Sequence, residues 1–422
     1  MSNFITELSD YITDRVPTSK DWADLCSTTL LSTALGYDRW LKTQLGRMRM
    51  SLYGLYIGPS GLGVKTVVLK DYCIPIMLKI GELTGRDMIF PSGFSTEGIV
   101  QYISKIRNTG LILKDELTIL IKDTTHKGYA SDQCEVLSQM YDSFLQKRYT
   151  RKTQLDEGQR CYVNMLATTT PYLYKILDET FFIQGLGNRF IYIITSGSNN
   201  TRKLDPKTYY ESFEAAQKSD MDINKFAERL SQLIKHDYPI NFWVGDDAAK
   251  QSIEFQEKVE EVSRKILEKD KFDLRSSYYF RLPFLLKKLM CIYSTSRQLD
   301  SKGYFDRPVG IITPEDVEWA QKQCLKYYKY FNILLDDWAD VGMTKEVHVE
   351  VGKGTVDYIV RMLNGFGGKA TSTQIYRKTN WSDNQLRTYM TTANKANAIE
   401  IIEEKPTGPG RPTVWYKVKE VK

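Results

Sequence analysis

Histidine is scarce in this chain and cysteine is unpatterned. Three histidines, His126, His236 and His348, and six cysteines with no Cys-x-x-Cys pair are spread over 422 residues. A structural zinc site takes four clustered ligands, so none is expected, and cysteines scattered in this way read as reduced and buried. Long apolar runs are missing too. Residues 67–80, among the most apolar, are interrupted by Lys70, Asp71 and Lys79, far short of the roughly 20 uninterrupted residues a membrane span requires. No transmembrane helix is expected. The opening MSNFITELSDYITDR lacks the basic-then-apolar arrangement of an export signal, so residence in the cytoplasm is the expectation. Internal repeats and long low-complexity tracts are absent as well, which leaves punctuation and pattern to define the boundaries.

What is present is globular in character. Hydrophobic residues make up 42% and charged residues 26%, close to the average for folded soluble chains. The length implies one large core with at least one appendage. The net charge of +6 is unevenly placed: residues 355–422 hold 11 Lys plus Arg against 6 Asp plus Glu, so this short tail carries +5 of it. That asymmetry favours an anionic partner for the tail, although a solvated basic surface has the same composition.

Four segments follow from the pattern. Residues 1–50 read as a helical preface, with a break at Pro17 and with Thr18 and Ser19 as caps for DWADLCSTTLLSTALG. Over 51–200 short apolar runs alternate with helical stretches: SLYGLYIG, GLILKDE, CYVNMLATT and RFIYIIT are the strands. This alternation predicts an α/β core with a largely parallel sheet covered on both faces. Residues 201–345 read as a helical, lid-like subdomain, whose clearest helix start is Thr313 followed by Pro314, Glu315 and Asp316. In 355–422, VDYIVRMLNGF is a helix, Thr371 with Gln374 and Ser382 with Gln385 form capping boxes for two more, and AIEIIEE and TVWYKVKEV are strands joined by PTGPGRP. Three helices and then a β-hairpin is the winged helix-turn-helix order.

The chemistry is concentrated in the second segment. In LYGLYIGPSGLGVKTVVLKDY a strand leads into a Gly-rich turn and a Lys-Thr pair at a helix start. Backbone N–H groups of such a turn wrap phosphate oxygens, Lys reaches the outer phosphates and Thr holds magnesium. Gly58, Pro59, Ser60, Gly61, Gly63, Val64, Lys65 and Thr66 supply the nucleotide-binding set. Standard spacing puts Lys directly after Gly63; here Val64 intervenes, so the loop is one residue longer or its lysine is displaced. About 50 residues on, GLILKDELTIL ends an apolar run in Asp115, a second magnesium-ordering group, and Glu116, which polarises the attacking water. VNMLATTTP places Thr168, Thr169 and Thr170 at the end of another strand, where a hydroxyl can orient that water. GLGNRFIYII puts Arg189 just before a strand, suited to act as a finger on a γ-phosphate or to pair with an acid of its own subunit; Arg281 is a weaker second candidate.

The succession GPSGLGVKT, FPSGFSTEGIVQYI, GLILKDEL, ATTTPYLYKIL and GLGNRF resembles the primase/helicase-associated P-loop ATPases of plasmids, viruses and other mobile elements. These are similar to the AAA+ class that includes the minichromosome maintenance helicases. The resemblance covers roughly residues 20–340 and rests on the order of elements more than on any one motif. It implies a P-loop, AAA+-like three-layer core, ATP with Mg2+ as cofactors, a homo-oligomer such as a hexameric ring, and work on DNA. By position it gives Lys65 and Thr66 the phosphates and magnesium, Asp115 and Glu116 the metal and water, Thr169 and its neighbours the sensing role, and Arg189 the finger.

In the tail, Leu386, Met390 and Ala393 share one helical face, which leaves Gln385, Arg387 and Lys395 among the residues available to a DNA groove. Arg377 and Lys378 on the preceding helix and Arg411 in the hairpin turn suit phosphate or minor-groove contacts. The same fold also serves as a protein-docking module. A second basic cluster, QKRYTRKT with Lys147, Arg148, Arg151 and Lys152, reads either as a DNA-facing hairpin or as a solvated loop. The expected function is an ATP-dependent DNA motor, a helicase or replication initiator of a mobile element. The alternative is a DNA-binding recruiting protein with a regulatory or inactive nucleotide site.

Overall fold

A computed structural model of the chain describes residues 3–44, 46–60, 65–118, 120–121, 130–146, 148–149, 154–155, 158–195, 213–235, 240–271, 273–299, 310–347, 353–379, 386, 389–391, 393–394, 397–404 and 413–419. The chain forms two compact units, 1–338 and 339–422. The preface, core and helical segment expected separately therefore belong to one unit.

The centre of the first unit is a five-stranded, all-parallel sheet in the order Phe190–Ile194, Tyr53–Ile57, Tyr162–Thr169, Thr109–Lys114, Ile89–Phe90. We call the second, third and fourth of these the loop, threonine and acidic strands. All eight residues of the threonine strand and all five of the loop strand are buried, as strands covered on both faces must be. Register shows which helix covers which face. Gly54 pairs with Leu166, and a Cβ on Gly54 would stand 2.9 Å from Leu25, so that face meets helix Lys20–Leu35. Tyr53 pairs with Met165 on the other face, and its hydroxyl donates to Leu137 O of helix Ala130–Tyr141 at 2.9 Å. Helix, sheet and helix make three layers.

Helix Lys20–Leu35 starts where Ser19 accepts from Trp22 N at 3.2 Å. It is buried almost all round although rich in Ser and Thr. Its hydroxyls donate back along the helix, Thr29 to Leu25 O at 2.7 Å and Thr33 to Thr29 O at 2.8 Å, so they enter the core already satisfied. Ser32 instead donates to Met50 O and lies 2.9 Å from Asn164 Oδ1, which also accepts from Leu52 N at 2.6 Å. This buried network ties the helix to the start of the loop strand and to the middle of the threonine strand.

The helix that starts at Lys65 is not uniform. It is α over Lys65–Val67, π over Val68–Cys73 and α again over Ile74–Thr84. Two local causes are evident. Pro75 supplies no N–H to the preceding turn. In addition, Val68, Tyr72, Ile76 and Ile80 are all at least intermediate to core burial at a repeat of four, with Leu69, Cys73 and Met77 repeating beside them. An ideal α-helix turns about 100° per residue, so a repeat of four drifts by about 40° each time. The wider π turn takes up that drift and keeps the stripe on the core.

The expectation for residues 1–50 is corrected in part. After helices Phe4–Arg15 and Lys20–Leu35 come strands Arg39–Thr43 and Gly46–Met48, which join Ile240–Val244 and Gly310–Ile312 in a second, four-stranded sheet. The 201–345 segment is thus not purely helical, since it contributes two of these strands. Helix Pro314–Val347 starts as expected: Thr313 N and Oγ1 donate to Asp316 Oδ2 at 2.7 and 3.0 Å.

In the second unit, helix Lys353–Asn364, strand Lys369–Thr371, helix Ser372–Thr379 and strands Ile399–Glu404 and Thr413–Val418 are described, with helical residues at 386, 389–391 and 393–394. The sheet is antiparallel, with Thr413–Val418 in the middle. Gly367 and Gly368 have φ of +80° and +86°, and Gly368 N donates to Leu363 O at 2.9 Å, so glycine closes the first helix. Strand Lys369–Thr371 was not expected. The capping box at Thr371 and Gln374 is formed in both directions, at 3.3 and 2.8 Å. Leu386, Met390 and Ala393 are buried together with Ile359, Leu363, Ile375 and Tyr416, the shared face that their spacing predicts.

Candidate functional site

Lys65 and Thr66 begin the helix that follows the loop strand, and the threonine and acidic strands beside it end in polar residues. The threonine strand lies between the loop and acidic strands. Its carboxyl end therefore faces Lys65 on one side and Asp115 and Glu116 on the other. Lys65 Nζ donates to Gly58 O at 3.0 Å and to Thr169 O at 2.6 Å. Thr66 Oγ1 donates to Asp115 Oδ1 at 2.5 Å. Thr168 Oγ1 donates to Asp115 O, and Thr169 Oγ1 to Glu116 Oε1 at 2.6 Å. A hydroxyl has one proton, so the 2.7 Å contact between Thr118 and Thr169 runs from Thr118 to Thr169. Two threonines adjacent in sequence thus hold two adjacent acidic residues, Thr168 through the Asp115 backbone carbonyl and Thr169 through the Glu116 carboxylate.

Gly58 is glycine for reasons of space: a Cβ there would lie 2.8 Å from both Thr195 and Tyr56. Pro59 and Ser60 continue the turn, while Gly61, Gly63 and Val64 lie outside the described residues. The extra residue at Val64 does not keep the Lys-Thr pair from the acidic strand, as the Thr66–Asp115 contact demonstrates.

The charges of this cluster balance. Lys70, one helical turn beyond Thr66, pairs with Asp115 at 3.5 Å. Burial pushes the Asp115 carboxyl up, but Thr66, Lys70 and Thr168 outweigh it and hold the group below its ordinary value, hence ionised at neutral pH. Burial pulls the Lys65 ammonium below its usual value, with Glu116 and Asp115 opposing. Thr118 and Lys70 were not singled out from sequence. Lys70 was readable, because a spacing of four from Thr66 puts both on one helix face.

Arg189 is elsewhere. Phe190 pairs with Tyr53 and Ile194 with Ile57, so Arg189 precedes the amino end of a strand whose carboxyl end lies beside Gly58. Five strand residues separate it from the Lys65 cluster by at least about 13 Å. Its guanidinium is bound to Asp142 at 2.6 Å and to Gly185 O at 2.7 Å. It borders a cavity of about 230 Å³ that is also lined by Arg47, Arg49, Asp142, Arg281 and Lys288. Of these, Arg189 pairs with Asp142, whereas the Arg47 guanidinium lies over Trp40 and that of Arg49 over Tyr37. Lys288 is fully enclosed, donating to Ser51 O at 2.8 Å and lying 3.5 Å from the centre of the Tyr141 ring. Burial, opposed by Asp142 and reinforced by Arg281 and Arg189, lowers its pKa to about 7. Burial and then Arg189 push Arg281 down as well. Arg189 Nε is buried without a hydrogen-bond partner.

Of the basic cluster QKRYTRKT, Arg148 and Tyr149 form a strand that pairs with Gln154–Leu155, and just before the cluster Phe144–Leu145 pairs with Gln159–Arg160, both antiparallel. Lys147, Arg151 and Lys152 are outside the described residues. Of the tail's DNA candidates, Arg377 and Lys378 lie on helix Ser372–Thr379, whereas Gln385, Arg387, Lys395 and Arg411 fall outside the described residues. All six cysteines are buried and none forms a disulfide. Among the described residues no three His, Cys, Asp or Glu side chains gather into a metal-binding group, and no helix is long and apolar enough to cross a membrane. Comparison with known proteins finds no family model and no curated protein that matches the chain.

Proposed function

We propose that the chain is a P-loop, AAA+-like ATPase acting on DNA, a helicase or replication initiator of a mobile element. The observation that carries this is the meeting of Lys65, Thr66, Asp115, Glu116, Thr168 and Thr169 at the carboxyl ends of three adjacent parallel strands, where open α/β sheets bind their ligands. Thr66 Oγ1 and Asp115 Oδ1, one neutral and one anionic, fit magnesium, which takes one or two protein oxygens and completes its shell from phosphates and water. Bound Mg-ATP supplies a phosphoryl group whose charge the metal neutralises. Lys65 has two of its three donors on carbonyls, leaving the third for a phosphate oxygen. Glu116, steadied by Thr169 and by Thr118 N at 3.0 Å, orients water and accepts its proton.

Arg189 and Arg281 stand at the other end of the sheet, so in this reading they serve the nucleotide of a second copy, and the working form is a homo-oligomer. The second unit is read as a winged helix holding DNA through Arg377, Lys378, Gln385, Arg387, Lys395 and Arg411; its element order and the burial of Leu386, Met390 and Ala393 support this. One observation favours the alternative of a regulatory or inactive nucleotide site: Lys65 is 9% exposed and held by two backbone carbonyls. Phosphate release from Mg-ATP, with and without single- and double-stranded DNA, decides between them. DNA-stimulated turnover that disappears in Lys65→Ala supports the motor. DNA binding without turnover leaves the alternative.

A further inference from the structure

The four-stranded sheet has two unlike faces. Paired positions share a face, so the register puts Leu41 with Phe242 on one side, and Trp40, Lys42, Arg47, Asn241, Trp243 and Ile311 on the other. The first side is core: Leu41, Phe242 and Ile312 are at most 3% exposed. The second is open, with Trp243 62% and Ile311 41% exposed. The guanidinium of Arg47 lies over the Trp40 ring, 4.5 Å from its centre. The four strands, RWLKT, GRM, INFWV and GII, contain no acidic residue. Trp40 pairs with Asn241, so Trp243 is its diagonal neighbour on the next strand, about 7–8 Å away.

We propose that this face binds a single strand of DNA. The Trp243 indole offers an open flat surface to an unpaired base, the Arg47 guanidinium stacked on Trp40 offers a second planar and charged surface beside it, and Lys42 offers positive charge to the backbone between them. A duplex hides its base faces and fits poorly. A protein partner would also cover Trp243, but it has no need of strands that carry Lys42 and Arg47 and no carboxylate. The described edge strands, Gly46–Met48 and Gly310–Ile312, have three residues each, too short to favour pairing with a second copy. This inference stands apart from the nucleotide site, for it uses neither Lys65 nor the second unit.

The test uses the full chain and labelled oligo(dT) of about fifteen nucleotides, a length in the range one such platform occupies. Trp40→Ala and Trp243→Ala should each weaken binding roughly 5- to 150-fold, the loss of one stacked base. Trp243→Phe should retain most of the affinity, while binding to a duplex of equal length stays as in the wild type. Photocrosslinking with iodouracil-substituted oligomer should label peptides containing Trp40 or Trp243. Wild-type oligo(dT) affinity in both alanine variants, with crosslinks elsewhere, overturns the proposal. So does a fall in sedimenting mass in those variants with oligo(dT) binding unchanged, because the face then joins two copies.

Discussion

The two ends of the central sheet are built on opposite electrostatic plans. At the carboxyl end Lys65 and Lys70 meet Asp115 and Glu116, and threonine hydroxyls link the carboxylates into one network. At the amino end Arg189, Arg281 and Lys288 line a cavity in which Asp142 is the one acidic lining residue among those described. The first arrangement is complete in itself. The second carries surplus positive charge in partly desolvated surroundings, which is unfavourable until an anion arrives. In the proposed assembly that anion comes from a neighbouring copy, so the imbalance of one end is answered by the ligand of the other.

The sharpest way to break this comparison is at the balanced end. Lys65→Ala and Glu116→Gln should each lower ATP turnover by at least about 10³-fold, with Glu116→Gln still binding nucleotide. Unchanged phosphate release in both would remove the site assignment. At the cationic end Arg189→Ala should cost about 10³-fold in turnover while ATP binding persists. Mixing Arg189→Ala with Lys65→Ala should then restore part of the activity, because each copy supplies what the other lacks. If the mixture stays inactive, Arg189 acts within its own chain or not at all. A smaller change is expected for Thr169→Val, which unseats Glu116 without removing it: about tenfold slower turnover, measured at saturating ATP, where a binding defect would not register.

The smallest effect concerns Lys288 and is read from stability alone. The folded chain holds this amine neutral above about pH 7, whereas the unfolded chain keeps it charged up to the ordinary lysine value. Unfolding therefore takes up a proton, and stability should rise with pH between about 7 and 9, by at most about 1.4 kcal/mol per pH unit from this group. Lys288→Met should flatten that slope in denaturant titrations. A slope identical to the wild type would place the amine's titration outside this window.

The residues that meet at the carboxyl end were legible in the sequence because the loop strand is an apolar run that ends at Gly58 and the threonine and acidic strands are apolar runs that end in polar residues. The pairing of those strands was not legible. Nothing local in VNMLATTTP states that it lies between the loop and acidic strands, since that order is settled by packing across the whole chain. Ile89–Phe90 is too short to stand out against FPSG. RWLKT has nothing nearby to mark it as a strand, because its partner, Ile240–Val244, is some 200 residues away. The same distance effect hid Asp142 from Arg189, although an acid of the same subunit had been foreseen as an alternative to a finger role. The tail's apolar stripe was readable from spacing; strand Lys369–Thr371, with only three residues, was not.

The π turn at Val68–Cys73 also bears on how this loop tolerates length variation. A helix held rigidly in α geometry would pass a one-residue insertion at its start along its whole length, rotating every later contact. Here the wide turn lies between Thr66, which reads the acidic strand, and the Ile76–Met77–Ile80 stripe, which grips the core. A change of register upstream is absorbed within that turn. Deleting Val64 should therefore leave the far-ultraviolet circular dichroism and the cooperative thermal unfolding of the chain as in the wild type.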